Sequence, residues 1–231
     1  MIVDGFVLIQ KGGTMIIRSK RTRVRSLMLW ACFLTFFLTS LPIQAQGTKG
    51  HQGGGTIKGV VNTPWVKRYV ALVYIDQAKG EFPPPKKNPF MGQKGLVFAP
   101  HILPVTKGTT VDFTNDDTVA HNVFAPPGAA TRFNLGLYGV GVKKTVTFDN
   151  LGEVPLLCNV HPEMLGYIIV LQNPYFALTD NSGKYEIKNV PPGAYKLKVW
   201  HEKLQETSKE VTVQEGKTVS VEFERDKLKQ K

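Results

Sequence analysis

Short segments rich in β-branched and aromatic residues recur from residue 56 onward, and this pattern limits the fold more than any other feature of the sequence. Turn-forming clusters separate them, for example at 180–183 (Asp-Asn-Ser-Gly) and 191–193 (Pro-Pro-Gly). Short strands at this spacing predict an all-β protein built from sandwiches or barrels. The predicted strands are 56–61, 69–75, 110–114, 144–148, 167–171, 185–187, 195–200 and 218–223.

Two segments depart from this pattern. Residues 77–94 contain three consecutive prolines followed by two lysines, and we expect a linker or an exposed loop there. Residues 202–209 are the only stretch after the first strand that resembles a helix. We predict a loop that leads into a strand at this point, so the expected fold class remains all-β.

Composition and charge exclude several other classes of protein. The 231 residues are 42% hydrophobic and 20% charged, as in a globular protein of one or two modest domains rather than a disordered chain or a coiled coil. Residues 1–46 hold six of the 29 basic residues and one acid, which leaves 23 basic and 17 acidic residues, or +6, for the rest. These basic residues are spread along the chain, without an arginine-rich helix or a basic-aromatic ladder, so we expect no nucleic-acid partner.

The first 46 residues have the pattern of a secretory signal peptide. Basic residues between Arg18 and Arg25 precede an apolar run at 27–41, and Ala45 is a small residue suited to cleavage. The run is shorter than the roughly 20 residues that a membrane-spanning helix usually needs. We predict a signal peptide at 1–46 and an exported protein, periplasmic or secreted, with no stable membrane span after cleavage. An uncleaved anchor is the alternative.

Removal of this segment, which contains Cys32, leaves Cys158 as a single cysteine. A lone cysteine forms no disulfide within its chain. In an oxidising compartment it is buried and inert, paired between chains, or held as a thiolate by a metal. The residues around Cys158 distinguish these cases.

Soft and borderline metal donors are concentrated in one seven-residue segment, 158–164 (Cys-Asn-Val-His-Pro-Glu-Met). It lies between a predicted strand that ends near Leu157 and one that starts near Gly166. A further donor from another strand, such as His121, would complete a set of one thiolate, two imidazoles and a thioether. Two His and one Cys with a weak axial Met define the blue-copper electron-transfer site. The predicted cofactor is therefore one copper ion.

Other interpretations of these residues stay open at this point. Cys158 could be a buried structural cysteine or form a hydrolase pair with His121, and Met164 could be core packing. A zinc site is also chemically compatible with the donors, although structural zinc favours more thiolates and catalytic zinc seldom uses Met. His101 and Met91 are candidates for a second metal, but packing roles are the stronger expectation for both.

The copper segment resembles a known family beyond its donors. Residues 98–105 (Phe-Ala-Pro-His-Ile-Leu-Pro-Val), Gly108, 111–117 (Val-Asp-Phe-Thr-Asn-Asp-Asp) and the pair at 121–122 (His-Asn) resemble the early strands and first ligand turn of the plastocyanin/azurin family of cupredoxins. The Cys-x-x-His-x-x-Met spacing is most similar to amicyanin. The resemblance covers about residues 89–172.

This resemblance implies a Greek-key β-sandwich with a type 1 copper site. It carries His121, Cys158, His161 and Met164 over as copper ligands. It also carries Asn122 over as a residue beside the ligands that braces the Cys158 loop, in keeping with the general need for such support.

A second resemblance involves both flanks of the copper segment. Residues 175–187, 190–197 and 211–219 resemble the carboxypeptidase regulatory-like domain, a transthyretin-like β-sandwich. The opening strands of that family have their counterparts at 55–61 and 69–75, before the copper segment. We therefore predict a cupredoxin inserted in a loop of this sandwich. The predicted boundaries are 1–46 signal peptide, 47–80 first sandwich strands, 81–172 cupredoxin and 173–231 remaining sandwich.

These features predict an exported blue-copper protein that transfers single electrons. The expected redox partner docks at the His161 edge, which Leu165, Phe124, Pro126 and Pro127 flank. The alternative is an accessory module that holds copper or attaches to a carbohydrate or cell surface through the second sandwich. We do not expect an enzyme, because four protein donors leave no open metal position for a substrate.

Overall fold

The computed structural model describes residues 10–11, 14–15, 53–65, 69–224 and 228, and it divides the chain into the units Met1–Gly47 and Thr48–Lys231. In the first unit, β1 (Gln10–Lys11) pairs with β2 (Thr14–Met15) in antiparallel orientation. The apolar run and cleavage site of the predicted signal peptide lie outside the described residues. Among the described residues, no helix has the length and apolar character to cross a membrane.

Every regular element that the structure describes is a β-strand, which confirms the predicted all-β fold class. The strands of the second unit are β3 (Gly55–Asn62), β4 (Leu72–Ile75), β5 (Phe90–Gln93), β6 (Phe98–Ala99), β7 (Ile102–Thr106), β8 (Thr109–Asn115), β9 (His121–Ala125), β10 (Phe133–Tyr138), β11 (Lys143–Phe148), β12 (Gly152–Leu157), β13 (Leu165–Leu171), β14 (Phe176–Leu178), β15 (Lys184–Val190), β16 (Gly193–Trp200), β17 (Thr207–Val213), β18 (Thr218–Ser220) and β19 (Phe223–Glu224).

Three sequence predictions need correction. The segment 77–94, expected as a linker or exposed loop, contains β5, which pairs in parallel with β8 and places Met91 fully in the core. The strand expected at 69–75 begins only at Leu72, because the Ala71 N–H donates to the Thr179 hydroxyl rather than to a strand partner. The strand expected at 218–223 is divided into β18 and β19, both of which pair in parallel with β3.

The strands from β5 to β13 form one sandwich of two sheets. One sheet has the order β10-β9-β12-β13-β7 and the other β11-β8-β5-β6. Alternate residues of β8 point into the core, as expected for a strand with one buried face. The core includes Val111, Phe113, Phe148, Leu156 and Ile168.

The remaining strands of the second unit form another sandwich, with sheets β14-β4-β16-β17 and β15-β3-β18. β3 and β4 precede the strands of the first sandwich along the chain, whereas their partners β14 to β19 follow them. Strands from both sides of the first sandwich therefore pair with each other, as expected if the first sandwich is inserted into the second. The domain boundaries given above stay a prediction.

The two sandwiches meet across a third apolar cluster that draws residues from both. Its members are Leu72, Tyr74, Ile102, Tyr167, Ile169, Leu171 and Trp200. Two polar contacts flank it. The Trp200 indole N–H donates to Glu153 at 2.7 Å, and His101 Nε2 donates to the Glu202 carboxylate at 2.7 Å. The Glu202 side chain is 1% exposed. The junction therefore contains a buried carboxylate, and loss of its hydrogen-bond partners would destabilise the fold.

We expect the Glu202 contact to stabilise the folded protein at neutral pH and to lose this effect at acid pH. Burial acts to raise the pKa of Glu202, but the hydrogen bond and charge of His101, with the charges of Lys203 and His201, outweigh it and lower that pKa below the ordinary value of 4.5. A lowered pKa in the folded state stabilises the protein above the unfolded value, and this contribution is lost as the pH falls through the folded pKa.

Glu202→Gln should therefore reduce the free energy of unfolding at pH 7 by about 1–3 kcal/mol, the usual cost of losing a hydrogen bond to a charged group. It should also flatten the loss of stability below pH 4.5. Urea unfolding across pH measures both effects, with Glu215→Gln at an exposed turn as the control. Equal acid sensitivity in the wild type and Glu202→Gln would contradict this role for Glu202.

Candidate metal centre

Three strands bring the predicted donors together at one end of the first sandwich. His121 is the first residue of β9, and Cys158 directly follows β12. His161 and Met164 lie in the turn between β12 and β13. The pair Leu157 and Phe124 joins β12 to β9, and the pair Leu157 and Leu165 joins β12 to β13. The turn that carries three donors is therefore held next to the start of β9.

The donor atoms converge. One ligand atom each from His121, Cys158 and His161 lie within 4.8 Å of one another. The Nδ1 atoms of the two histidines are 3.0 Å apart, and Cys158 Sγ lies 3.9 Å from His161 Nδ1. Met164 shares the buried core cluster of Cys158, and its backbone N–H donates to the His161 carbonyl at 3.0 Å. The turn therefore keeps Met164 next to His161, and Met164 lies in the same buried core as Cys158.

Burial separates His161 from the other donors. His121, Cys158 and Met164 are 0%, 4% and 1% exposed, whereas His161 is half-buried. An ion held here would be shielded from water on most sides and would reach the surface through the His161 ring.

A carboxylate on the far side of the His121 ring determines which nitrogen is available as a donor. Asp117 Oδ2 lies 3.0 Å from His121 Nε2. An ionised carboxylate only accepts hydrogen bonds, so Nε2 carries the proton and Nδ1 keeps its lone pair toward Cys158 and His161. Hydrogen bonds from the backbone N–H groups of Leu96 and Thr118, and from the His121 side chain, lower the pKa of Asp117.

No role was predicted for Asp117 from the sequence, although it lies within the segment 111–117. The signal that could have identified it is the carboxylate four positions before a candidate ligand. This spacing brings the carboxylate to the His121 ring only because the chain between them forms a turn that Asn115 stabilises. The Asn115 side chain donates to the Val119 and Tyr138 carbonyls and accepts from the Asp117 N–H.

Asn122 contacts the cysteine loop from the neighbouring strand. Its side-chain oxygen accepts from the backbone N–H of Asn159 at 3.4 Å, and its nitrogen donates to Asn134 Oδ1 at 2.9 Å. Asn134 also accepts from the Gly136 N–H. The bracing role predicted for Asn122 has this contact in support, and Asn134 is an additional member of the network that the sequence did not reveal.

The candidates for a second metal lie elsewhere. His101 bonds Glu202 at the junction of the sandwiches, and Met91 is buried in the core. Across the part of the chain that the structure describes, His121, Cys158 and His161 are the only group of three or more His, Cys, Asp or Glu residues with converging ligand atoms. Met91 thus lies in the core and His101 at the junction of the sandwiches, and neither belongs to the converging group.

The chemistry of this group fits copper. One cysteine sulfur and two imidazole nitrogens face a common point, with a thioether in the adjoining core. Sulfur and imidazole donors in this combination suit copper, whereas the hard cations take oxygen ligands. The Asp117 carboxylate is engaged by His121 Nε2 and lies on the opposite side of that ring from the converging Nδ1 atoms.

Comparisons with known proteins agree with this chemistry. Residues 88–171 match the family model for copper binding proteins of the plastocyanin/azurin family, and residues 167–225 match the carboxypeptidase regulatory-like domain. A search of curated proteins finds no match. The two family matches confirm the predicted combination of a cupredoxin segment with a regulatory-like sandwich, and copper as the cofactor.

The solved structures that this chain is similar to include those described as a cupredoxin, an amicyanin and a copper-containing nitrite reductase. A purple cupredoxin from Nitrosopumilus maritimus is 26% identical and covers 36% of this chain and 99% of its own, with a TM-score of 0.33. A reduced Cu(I) amicyanin variant is 21% identical, with 42% and 97% coverage and a TM-score of 0.35. A copper-containing nitrite reductase from Thermus scotoductus is 24% identical, with 49% and 28% coverage and a TM-score of 0.36.

Proposed function

We propose that this protein is an exported electron carrier that holds one copper ion with His121, Cys158, His161 and Met164 as a type 1 centre. The observation that carries the proposal is the convergence of the His121, Cys158 and His161 donor atoms within 4.8 Å. The family match over 88–171 supports the same metal. When bound, copper supplies a one-electron Cu(II)/Cu(I) couple whose potential depends on the axial ligand and on the surroundings of the cysteine sulfur.

The contribution of the chain is to keep the donors in one geometry in both oxidation states. His121 begins β9, which has a partner strand on both sides in a five-stranded sheet, and its ring is held at Nε2 by Asp117. Asn122 bonds the backbone of the cysteine loop. Donors that are anchored in this way move little when the charge of the metal changes, so electron transfer requires little reorganisation of the site.

Access for a redox partner is provided at the His161 edge. Val160, next to His161, is 51% exposed, and Leu137, whose Cα pairs with Asn122, is 61% exposed. Apolar side chains on the segments that hold the donors favour short-lived docking through a small contact area. The residues expected to flank this edge are partly buried at Phe124, Pro126 and Leu165 and exposed at Pro127.

Electron transfer fits these residues better than catalysis. All four proposed ligands come from the protein, and three of them are buried. Catalytic metal sites instead keep an open position for a substrate or water.

The proposal of export rests on the order of basic and apolar residues in 18–45. N-terminal sequencing of the protein recovered from the periplasm of a bacterial host tests it, because cleavage after Ala45 would leave Gln46 as the first residue.

Replacing Met164 should change the potential more than it changes copper binding. The axial bond in such sites is long and weak, so Met164→Gln should retain copper while lowering the reduction potential. Voltammetry of the wild type should show a fast, reversible one-electron couple, and the same couple should shift in the variant. Met91→Gln, which alters a buried methionine of β5 in the same core, controls for loss of packing.

Two results would contradict this proposal. Complete loss of copper from Met164→Gln with the fold intact would show that the ligand assignment is wrong. A wild type that passes its copper to an acceptor instead of cycling reversibly would indicate copper delivery rather than electron transfer.

A further inference from the structure

Asp117 is held in one position by its own turn. Its Oδ2 accepts from the Leu96 N–H at 3.0 Å, and its Oδ1 accepts from the Thr118 N–H at 2.8 Å. Its own N–H donates to the Asn115 side chain at 3.0 Å. The side chain is 11% exposed. Backbone groups therefore fix the direction of the carboxylate before any metal binds.

The fixed carboxylate faces a ring that is otherwise enclosed. His121 is 0% exposed, and its Nε2 lies 3.0 Å from Asp117 Oδ2. The Nδ1 atom on the other side of the ring faces His161 Nδ1 at 3.0 Å. A proton held at Nε2 leaves the lone pair at Nδ1, where the site needs it.

We infer that Asp117 is a positioning residue of the metal centre, which selects the His121 tautomer, orients the ring and favours the oxidised state of the bound metal. The inference rests on the proposed copper function for its redox part alone. Carboxylates that bond a metal-binding histidine raise the basicity of that ligand. A negative charge beside the ring also stabilises the more positive Cu(II) state relative to Cu(I).

The neighbouring Asp116 supplies a matched control. It is one residue away and carries the same charge, but its Oδ2 accepts from the Thr114 hydroxyl at 2.8 Å. Asp116→Asn therefore removes one negative charge from the same turn without altering the bond to His121. Any effect of Asp117→Asn beyond that of Asp116→Asn belongs to the contacts of the Asp117 carboxylate with His121 and its own turn, and the His121 tautomer isolates the first of these.

The first experiment uses the full chain without metal. Nitrogen-15 NMR of the histidine rings should show His121 protonated at Nε2 in the wild type and in Asp116→Asn. Asp117→Ala should give a mixture of tautomers, while Asp117→Glu should restore part of the Nε2 form. Asp117→Asn keeps an acceptor for the Thr118 N–H, so it provides a folded variant if alanine disrupts the turn. An unchanged tautomer in both Asp117→Ala and Asp117→Asn would overturn the inference.

The second experiment uses copper. Support of this kind changes metal affinity by about 10–100-fold. We expect Asp117→Asn to weaken Cu(II) binding relative to Cu(I) by about tenfold more than Asp116→Asn does, which corresponds to a potential about 59 mV higher for one electron. Equal potentials in the two variants would overturn the redox role. A wild type without the blue band would contradict the proposed function, whereas the tautomer result would still decide the positioning role.

Discussion

Replacing Cys158 with alanine is expected to abolish the intense blue colour of the copper-loaded protein. The colour arises from charge transfer between the cysteine thiolate and Cu(II), so it disappears completely when the sulfur is removed. Cys158 is a free, buried cysteine among the described residues, 3.9 Å from the Nδ1 of His161. Visible absorption and the copper content per chain measure the effect.

Two histidine variants serve as matched comparisons for this result. His121→Ala should leave an opened site with an altered spectrum, because one of the converging donors is lost. His101→Ala should keep the blue band, since His101 bonds Glu202 at the junction of the sandwiches. A wild-type protein that stays colourless with Cu(II), or that binds zinc in strong preference to copper, would contradict the copper assignment.

Gly59→Ala should severely destabilise the second sandwich. Gly59 lies in β3, and a Cβ placed there would lie 1.8 Å from the backbone oxygen of Val221. The two nearest atoms are the backbone oxygen and carbonyl carbon of Val221, so the segment that joins β18 to β19 must move away from β3 to relieve the clash. We expect a loss of about 3 kcal/mol or more in the free energy of unfolding, beyond the usual range for an overpacked core. Urea unfolding measures the loss.

This variant also tests the inserted arrangement of the domains. Residues 59 and 221 meet only if strands on both sides of the copper segment close into one sandwich. Gly53→Ala is the control, because nothing lies within 4 Å of a Cβ at that position. Equal stability of the two variants would mean that β3 does not pack against the C-terminal strands, and a tandem arrangement would replace the nested one. The blue band reports separately on the copper site.

Local patterns account for the part of the fold that the sequence predicts well. β8 alternates apolar and polar residues and ends at Asn115, and β16 alternates them after the turn at 191–193, so both strands follow from the two-residue period and the neighbouring turn residues. β5 does not follow such rules. It contains Phe90, Met91 and a glycine after a proline-rich stretch, and it becomes a strand because β8 offers a parallel partner.

The breaks in two predicted strands have the same kind of cause. Residues 69–71 are apolar enough for a strand, but Thr179, 108 positions away from Ala71, takes the backbone hydrogen bond. The pairing of β18 and β19 with β3 is interrupted at 221–222, where the Val221 carbonyl lies against Gly59. Because these partners are distant in sequence, the local composition does not predict where the strands end.

The sequence by itself determined the all-β class and the donor-rich turn at 158–164, because strand periodicity and the spacing of three donors in one loop are local properties. The tertiary structure alone decided which remote groups complete the site and join the sandwiches. His121 reaches His161 across 40 positions, and His101 reaches Glu202 across 101. The Asp117 carboxylate meets His121 Nε2 only because Asn115 and the Leu96 backbone shape its turn. Contacts of this kind depend on how sheets stack and where turns point, which are properties of the folded chain.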